Sequence, residues 1–259
     1  MLDKKNFYID GKWVSPIEPR NYKVIDPSNE EPCAEISLAG KKDVDKAVKA
    51  AKKAFESWSF SKKEERLELL EKLYVIYKKR WAEMAKFISL EMGAPIKFST
   101  ELQTATAANH IKAFKNILKD FNFEKNLGDE KNNQKLLYEP KGVCALITPW
   151  NWPMNQVALK VIPALASACT VVLKPSEIAP LSSMLLAEMI DEAKFPSGVF
   201  NLINGDGAIT GDALTSHPDI NMISFTGSTR AGALISQNAA KDFKRISLEL
   251  GGKGANIIF

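Results

Sequence analysis

Beyond Lys141, short apolar runs alternate with longer stretches of helical period, and few architectures accommodate that alternation. Strand-like runs fall at 143–147, 170–173, 199–203, 222–225, 246–250 and 255–259, with helical stretches separating the first five. This is the spacing of repeated βαβ units. The runs are near-continuously apolar, so each strand is expected to be covered on both faces, as in the parallel sheet of an α/β fold. Such a sheet binds ligands outside the carboxyl ends of its strands, and the residues that follow each run become the candidates for function.

The 259 residues suffice for one large domain or two small ones with a substantial core. With 45% apolar and 25% charged residues, the composition excludes a disordered or fibrous chain. The formal net charge of +4 is small and scattered, so charge alone implies no nucleic-acid partner. No apolar run approaches the length that spans a bilayer, and the charged opening residues lack the apolar core of a signal peptide. Cys33, Cys144 and Cys169 are far apart with no CxxC, and His110 and His217 are the only histidines. Neither a disulfide framework nor a metal cluster is expected, and a reduced, cytoplasmic setting is.

The first 120 residues read differently. Residues 7–14 alternate around Asp10-Gly11 as a hairpin does, and Asp26-Pro-Ser-Asn is turn chemistry. From Asp43 the period becomes helical, with Val44, Ala47, Val48, Ala51, Phe55 and Trp58 on one face. A second helix is expected to open at Ser61, with Glu64 completing a capping box. Its stripe continues from Leu67 to Ile88 and ends at Gly93-Ala-Pro95. A third carries Ala105, Ala108, Ile111, Phe114 and Leu118. The aromatics of these stripes suit core packing better than a cofactor box. Between 121 and 141, Asn126, Gly128, Asp129, Asn132 and Asn133 form a polar turn between two apolar runs. That predicts a projecting hairpin able to pair with another subunit.

Each strand end carries two readings. Thr148-Pro-Trp-Asn-Trp-Pro holds the Asn151 amide between two prolines, as an oxyanion donor or simply as a turn and helix start. Lys174-Pro-Ser-Glu can grip ribose hydroxyls, or Ser176 is an N-cap beside a solvated lysine. Gly205-Asp-Gly207-Ala-Ile-Thr-Gly211 permits close backbone approach, but is one residue longer than the usual pyrophosphate fingerprint. Ser228, after Phe225-Thr-Gly, caps a helix whose free N–H groups attract phosphate, or caps it and nothing more. Glu249, between leucines, is expected to be desolvated into a usable general base, or to be paired with a lysine. Five such motifs on successive strand ends would converge on one crevice, and convergence favours function.

In order and spacing, Thr148-Pro-Trp-Asn-Trp-Pro, Leu173-Lys-Pro-Ser-Glu, Phe225-Thr-Gly-Ser and Leu248-Glu-Leu-Gly-Gly-Lys resemble the NAD(P)-dependent aldehyde dehydrogenase family over the whole chain. The resemblance implies a Rossmann-like doubly wound parallel sheet with an N-terminal helical portion and a projecting β-hairpin. Residues 1–120 would be the arm and helices of the cofactor domain, 121–141 the start of an oligomerisation hairpin, and 142–259 the NAD-binding portion. It further implies oxidation of an aldehyde to a carboxylic acid through a cysteine thioester. Asn151 would be the oxyanion donor, Glu249 the base that activates water, and Lys160 a proton-relay residue. Lys174 and Glu177 would hold the adenosine ribose, and Gly207, Gly211 and Ser228 would approach the pyrophosphate. Ile147, Thr148, Pro149, Trp150, Phe225 and Gly227 would line the cofactor channel, with Ser176, Thr226 and Leu250 completing the contacts. Glu177 would oppose a 2′-phosphate by charge, which favours NAD over NADP.

Arg230 departs from the acid that many members carry at its position. The larger departure is that the family's nucleophile lies a few dozen residues beyond the Glu249 motif. None of the three cysteines fits that role, and Cys144 and Cys169 read as buried structural thiols. The chain is therefore expected to be the N-terminal half of a dehydrogenase, inactive alone and a homo-oligomer when full length. The retained Glu249 favours hydrolytic release over acyl transfer to coenzyme A. An apolar helix wall at Met154, Val157 and Leu159 suggests an uncharged small-molecule substrate. Nucleic acid and membrane are not expected as partners. The competing reading is a natural, catalytically inactive module that binds a nucleotide or a protein partner.

Overall fold

The computed structural model describes residues 1–128 and 134–258. The amino-terminal arm supplies β1 (Leu2–Lys4), β2 (Phe7–Ile9), β3 (Lys12–Val14), β4 (Asn21–Asp26) and β5 (Glu31–Ser37). Helices α1 (Lys41–Trp58), α2 (Lys63–Lys79), α3 (Trp81–Met92), α4 (Ile96–Phe98) and α5 (Thr104–Asp120) follow, then the ribbon β6 (Glu124–Asn126) and β7 (Lys135–Leu137). The alternating part runs β8 (Val143–Ile147), α6 (Pro153–Ala166), β9 (Thr170–Lys174), α7 (Leu181–Glu192), β10 (Phe200–Leu202), α8 (Asp212–Ser216), β11 (Met222–Thr226), α9 (Thr229–Ala240) and β12 (Arg245–Glu249).

The main sheet has the order β12-β11-β8-β9-β10-β2-β3. Its first five strands are parallel, and the β2–β3 hairpin adds antiparallel to β10. The strand order reverses at the β8/β11 pair, where a doubly wound sheet opens its ligand crevice. Both faces are covered, as the apolar runs require. Along β8, Cys144 and Leu146 join the core beneath α2, α5, α6 and α7, while Val143, Ala145 and Ile147 join the one beneath α1, α8 and α9. All residues of β8 and β9 are buried, so these two central strands carry no polar alternation.

Local chemistry explains the punctuation. Asp10 and Gly11 both have positive φ (54° and 72°), the geometry that lets a two-residue turn follow the twist of β2 and β3. The Asp26 carboxylate accepts from the Ser28 N–H at 2.8 Å and tightens the β4–β5 turn. Gly93, with φ 77°, ends α3 in the left-handed conformation.

Four expectations are corrected. Ser61 does not cap a helix: α2 starts at Lys63, and the Ser61 carbonyl and hydroxyl both accept from the buried Arg66 guanidinium. The stripe from Leu67 to Ile88 is two helices rather than one, because the chain leaves helical geometry at Arg80 (φ −95°, ψ 20°). Residues 255–258 form no strand, and Phe259 lies outside the described residues. The run at 246–250 is a sheet edge with alternating exposure rather than a strand covered on both faces. The predicted hairpin is present as the exposed β6–β7 ribbon, while its expected turn residues Asp129, Asn132 and Asn133 lie outside the described residues. Among the described residues no helix is long and apolar enough to cross a membrane.

Candidate functional site

The carboxyl ends of the parallel strands border two hollows, one on each side of β11. Successive residues of a strand face opposite sides of a sheet, and β11 uses this directly. Ser224 and Thr226 face a cleft of about 860 Å³, whereas Phe225 faces a second hollow of about 400 Å³. The five motifs therefore divide between two chambers rather than meeting in a single crevice.

The larger cleft brings together Pro149, Trp150, Asn151, Lys160, Thr226, Gly227, Ser228, Glu249 and Leu250. Asn151 is exposed in the bend before α6, whose first helical residue is Pro153, a position where the missing N–H costs nothing. Two turns into α6, Lys160 is buried, and its Nζ donates to Ser224 Oγ at 3.0 Å. Burial lowers the Lys160 pKa, while the nearby Glu249 carboxylate raises it. The cross-strand register pairs Ser224 with Ser247 and Thr226 with Glu249, which forms a ladder of polar side chains facing Lys160. The Gly227 N–H donates to the Glu249 carbonyl at 3.0 Å and extends this pairing beyond the last strand residue.

Glu249 corrects the sequence reading: it is exposed, not desolvated. The edge position of β12 explains this, since no element among the described residues covers its outer side. The proposed apolar wall is also corrected. Met154 and Val157 are fully buried in the core, and of the three only Leu159 reaches the cleft, beside Gln156. Gln156 and Ser247 are polar lining residues that sequence reasoning missed. Helical spacing from Asn151 and Lys160 could have found Gln156.

The second hollow is lined by Ile147, Lys174, Gly207, Gly211 and Phe225, with the aliphatic face of α9 opposite. Lys174 is buried, and its Nζ donates to the carbonyls of Pro175 (3.0 Å) and Gly205 (2.5 Å), with Glu177 Oε2 at 3.8 Å. Burial lowers its pKa, opposed by the charges of Glu177 and Asp206. The glycine run is held open by Asp206, whose carboxylate accepts from the Ile209 N–H at 2.7 Å and pairs with Arg20 at 2.7 Å. A Cβ added to Gly207 would meet nothing within 4 Å, so the backbone there borders open space. Ser228 Oγ accepts from the Ala231 N–H at 3.2 Å, which makes it the N-cap of α9. Ser176 is no helix cap: its Oγ accepts from the Ile178 N–H at 3.3 Å within a turn, and α7 begins at Leu181. Arg230 also lines this hollow.

Two hydroxyls near the strand ends, Thr148 Oγ1 and Thr226 Oγ1, are buried and have no partner among the described residues. The cysteines lie elsewhere. Cys33 is half-buried in β5, while Cys144 in β8 and Cys169 just before β9 are buried at the opposite end of the sheet.

A doubly wound parallel sheet with a glycine-lined hollow and a Lys–Ser–Glu–Asn cleft at its strand ends defines an α/β architecture of the kind that binds ligands at the carboxyl ends of its strands. The chain belongs to the aldehyde dehydrogenase family, whose model matches residues 13–259. It is 51% identical over its full length to a 3-succinoylsemialdehyde-pyridine dehydrogenase from a Pseudomonas species, covering 54% of that protein. A putative aldehyde dehydrogenase of Staphylococcus epidermidis is 43% identical over 97% of the chain, which covers 52% of that relative. Among solved structures, an aldehyde dehydrogenase from Bartonella henselae superposes with a TM-score of 0.96 at 60% identity, over 99% of this chain and 54% of the other. A mutant aldehyde dehydrogenase C from Pseudomonas syringae, complexed with NAD+ and octanal, gives a TM-score of 0.94 at 46% identity, over 97% of this chain and 51% of the other. The chain spans about half the length of the relatives it matches.

Proposed function

We propose that this chain supplies the NAD-binding half of an aldehyde dehydrogenase, which oxidises an aldehyde to a carboxylic acid through a cysteine thioester. The observation that carries the reading is the pairing of two chambers across β11: a glycine-lined hollow with Lys174, and a cleft holding Asn151, Lys160 and Glu249. The two chambers together fit a dinucleotide, because the hollow is open at Gly207 and the buried Thr226 hydroxyl on the cleft side of β11 has no partner among the described residues. Related solved enzymes hold NAD+.

In this reading Lys174, Ser176 and Glu177 hold the ribose. Gly207, Gly211 and Ser228 approach the pyrophosphate, and the remaining contacts come from Ile147, Thr148, Pro149, Trp150, Phe225, Thr226, Gly227 and Leu250. When bound, the dinucleotide supplies the hydride acceptor. The Asn151 amide donates to the oxygen on which negative charge develops. Glu249 takes a proton from the attacking water, and its exposure on the β12 edge leaves it open to that water. Lys160, held by Ser224, passes protons between the cleft and solvent. Cys33, Cys144 and Cys169 all stand away from this cleft, so the reacting sulfur belongs to the part of the family's length that this chain does not span.

The test is calorimetric titration of the chain with NAD+ and NADP+. The reading expects NAD+ to bind more tightly, and Glu177→Gln to narrow the difference by relieving repulsion of the 2′-phosphate. If neither nucleotide binds, the cofactor assignment fails, and co-purification with a protein partner would then support an inactive binding module.

A further inference from the structure

The amino-terminal arm reaches the glycine run through one side chain. Arg20 stands just before β4, 186 residues from Asp206, and its Nη1 donates to Asp206 Oδ2 at 2.7 Å. The other oxygen of that carboxylate faces the run, accepting from the N–H groups of Ile209 at 2.7 Å and Thr210 at 3.3 Å. Asp206 is therefore a bridge, with one oxygen on the arm and one on the loop backbone. Arg20 Nη2 makes a second bridge, donating to the Ala39 carbonyl at 2.8 Å and to Thr210 Oγ1 at 3.3 Å. The buried Thr210 hydroxyl donates to that same Ala39 carbonyl at 2.6 Å, and the Ala39 N–H donates to the Asn204 carbonyl at 2.8 Å.

On the NAD-binding reading of the hollow, on which this role rests, we propose that Arg20 is a positioning residue of the nucleotide site. From the arm it sets the shape of the 205–211 run and neutralises Asp206, and so governs how tightly the pyrophosphate of a dinucleotide is held.

Gly207 and Gly211 line the hollow, whereas Arg20 and Asp206 stand behind the loop and act only through it. Nothing among the described residues lies within 4 Å of a Cβ added to Gly207, so the loop is not propped from its open side. Its shape is fixed from behind, by the two bridges. Charge points the same way. An unpaired Asp206 carboxylate, one residue from Gly207, would repel a pyrophosphate, and the guanidinium at 2.7 Å cancels most of that field. The planar fork of an arginine also reaches two acceptors at once, Asp206 and Ala39, which a lysine ammonium does not do with fixed geometry. The Arg20 and Asp206 side chains are 31% and 25% exposed, and a pair so placed adds little to stability. What the arginine supplies is loop geometry and local charge balance.

The experiment is calorimetric titration of NAD+ into the parent chain, Arg20→Met, Arg20→Lys, Asp206→Asn and the Arg20→Met/Asp206→Asn double variant, each well below its melting temperature. Arg20→Met should weaken binding about tenfold, and Arg20→Lys, which keeps a charge opposite Asp206, should recover part of that loss. The double variant should bind no more weakly than Arg20→Met, because both substitutions cut the same bridge. Gly198→Ala strains the amino end of β10 without touching the run; it should lower the melting temperature and leave affinity within about twofold of the parent. Arg20 has no positioning role if Arg20→Met binds within about twofold of the parent, or if Gly198→Ala loses as much affinity, since binding then merely follows stability. Should Arg20→Met fail to fold, Asp206→Asn is judged by the same two criteria. A parent chain that binds no NAD+ is a different failure, that of the hollow as a cofactor site, and the role of Arg20 falls with it.

Discussion

Lys160 and Ser224 lie 64 residues apart in the chain and 3.0 Å apart in the fold, joining α6 to β11 across the floor of the larger cleft. The amine is buried, and its pKa is lowered by that burial. An ammonium retained there is costly, and its replacement by an apolar side chain of similar length often changes stability little.

We therefore expect Lys160→Met to fold, with stability at neutral pH within about 1 kcal/mol of the parent. The unfolded chain binds the lysine proton up to its ordinary pKa of 10.5, and the folded chain releases it earlier. The unfolded state thus binds more protons in that interval, so this group's contribution to stability rises as pH approaches 10.5. Urea denaturation of both proteins across the alkaline range should show the slope in the parent and not in the variant.

Glu91 is the converse case. It is 1% exposed near the end of α3, and its carboxylate accepts from the Leu181 N–H and from the Ser182 N–H at 3.1 Å, satisfying the first turn of α7. Burial pushes its pKa up to about 7 from an ordinary 4.5, against the lowering effect of those donors. Between these values the folded state holds a proton that the unfolded state has lost, so its contribution to stability falls as pH rises through the window. Glu91→Gln should remove that slope. Glu91→Ala, which leaves buried N–H groups without an acceptor, should cost about 2–3 kcal/mol, measured by denaturant titration.

Gly198 links α7 to β10 with φ +79°, and a Cβ there would stand 2.7 Å from the backbone carbonyl oxygen of Ala50 in α1. A helix backbone cannot retreat as a flexible side chain can. Gly198→Ala should lower stability by about 2–4 kcal/mol, combining left-handed strain with the displaced helix, and thermal melting would register it.

Gly207 gives the opposite expectation, since nothing lies within 4 Å of an added Cβ. Gly207→Val should melt near the parent temperature, yet weaken NAD+ binding by about tenfold or more by filling the hollow. Unchanged binding by calorimetry would count against that hollow as the cofactor site.

The strands were legible because burial on both faces leaves a plain signature. In β8 and β9 every residue is apolar or buried, and the boundaries read from 143–147 and 170–173 agree with the observed strands to within one residue. The α1 stripe and the Asp10-Gly11 turn were equally direct, since period and turn chemistry are local properties. The break at Arg80 was not, because Lys78-Lys79-Arg80 is good helix composition and the change of direction serves packing against α7 through the Arg80–Glu188 pair.

Sequence by itself determined the class of fold, the family motifs and the strand ends on which candidate residues would stand, because strand period, glycine placement and capping act over a few residues. The tertiary structure decided which of them share a chamber. Sheet pleating sends Ser224 and Phe225 to opposite sides of β11, and the edge position of β12 exposes Glu249. Packing alone brings Glu91 beneath α7 and Lys160 against Ser224. Those relationships depend on contacts between residues distant in the chain, which no local pattern encodes.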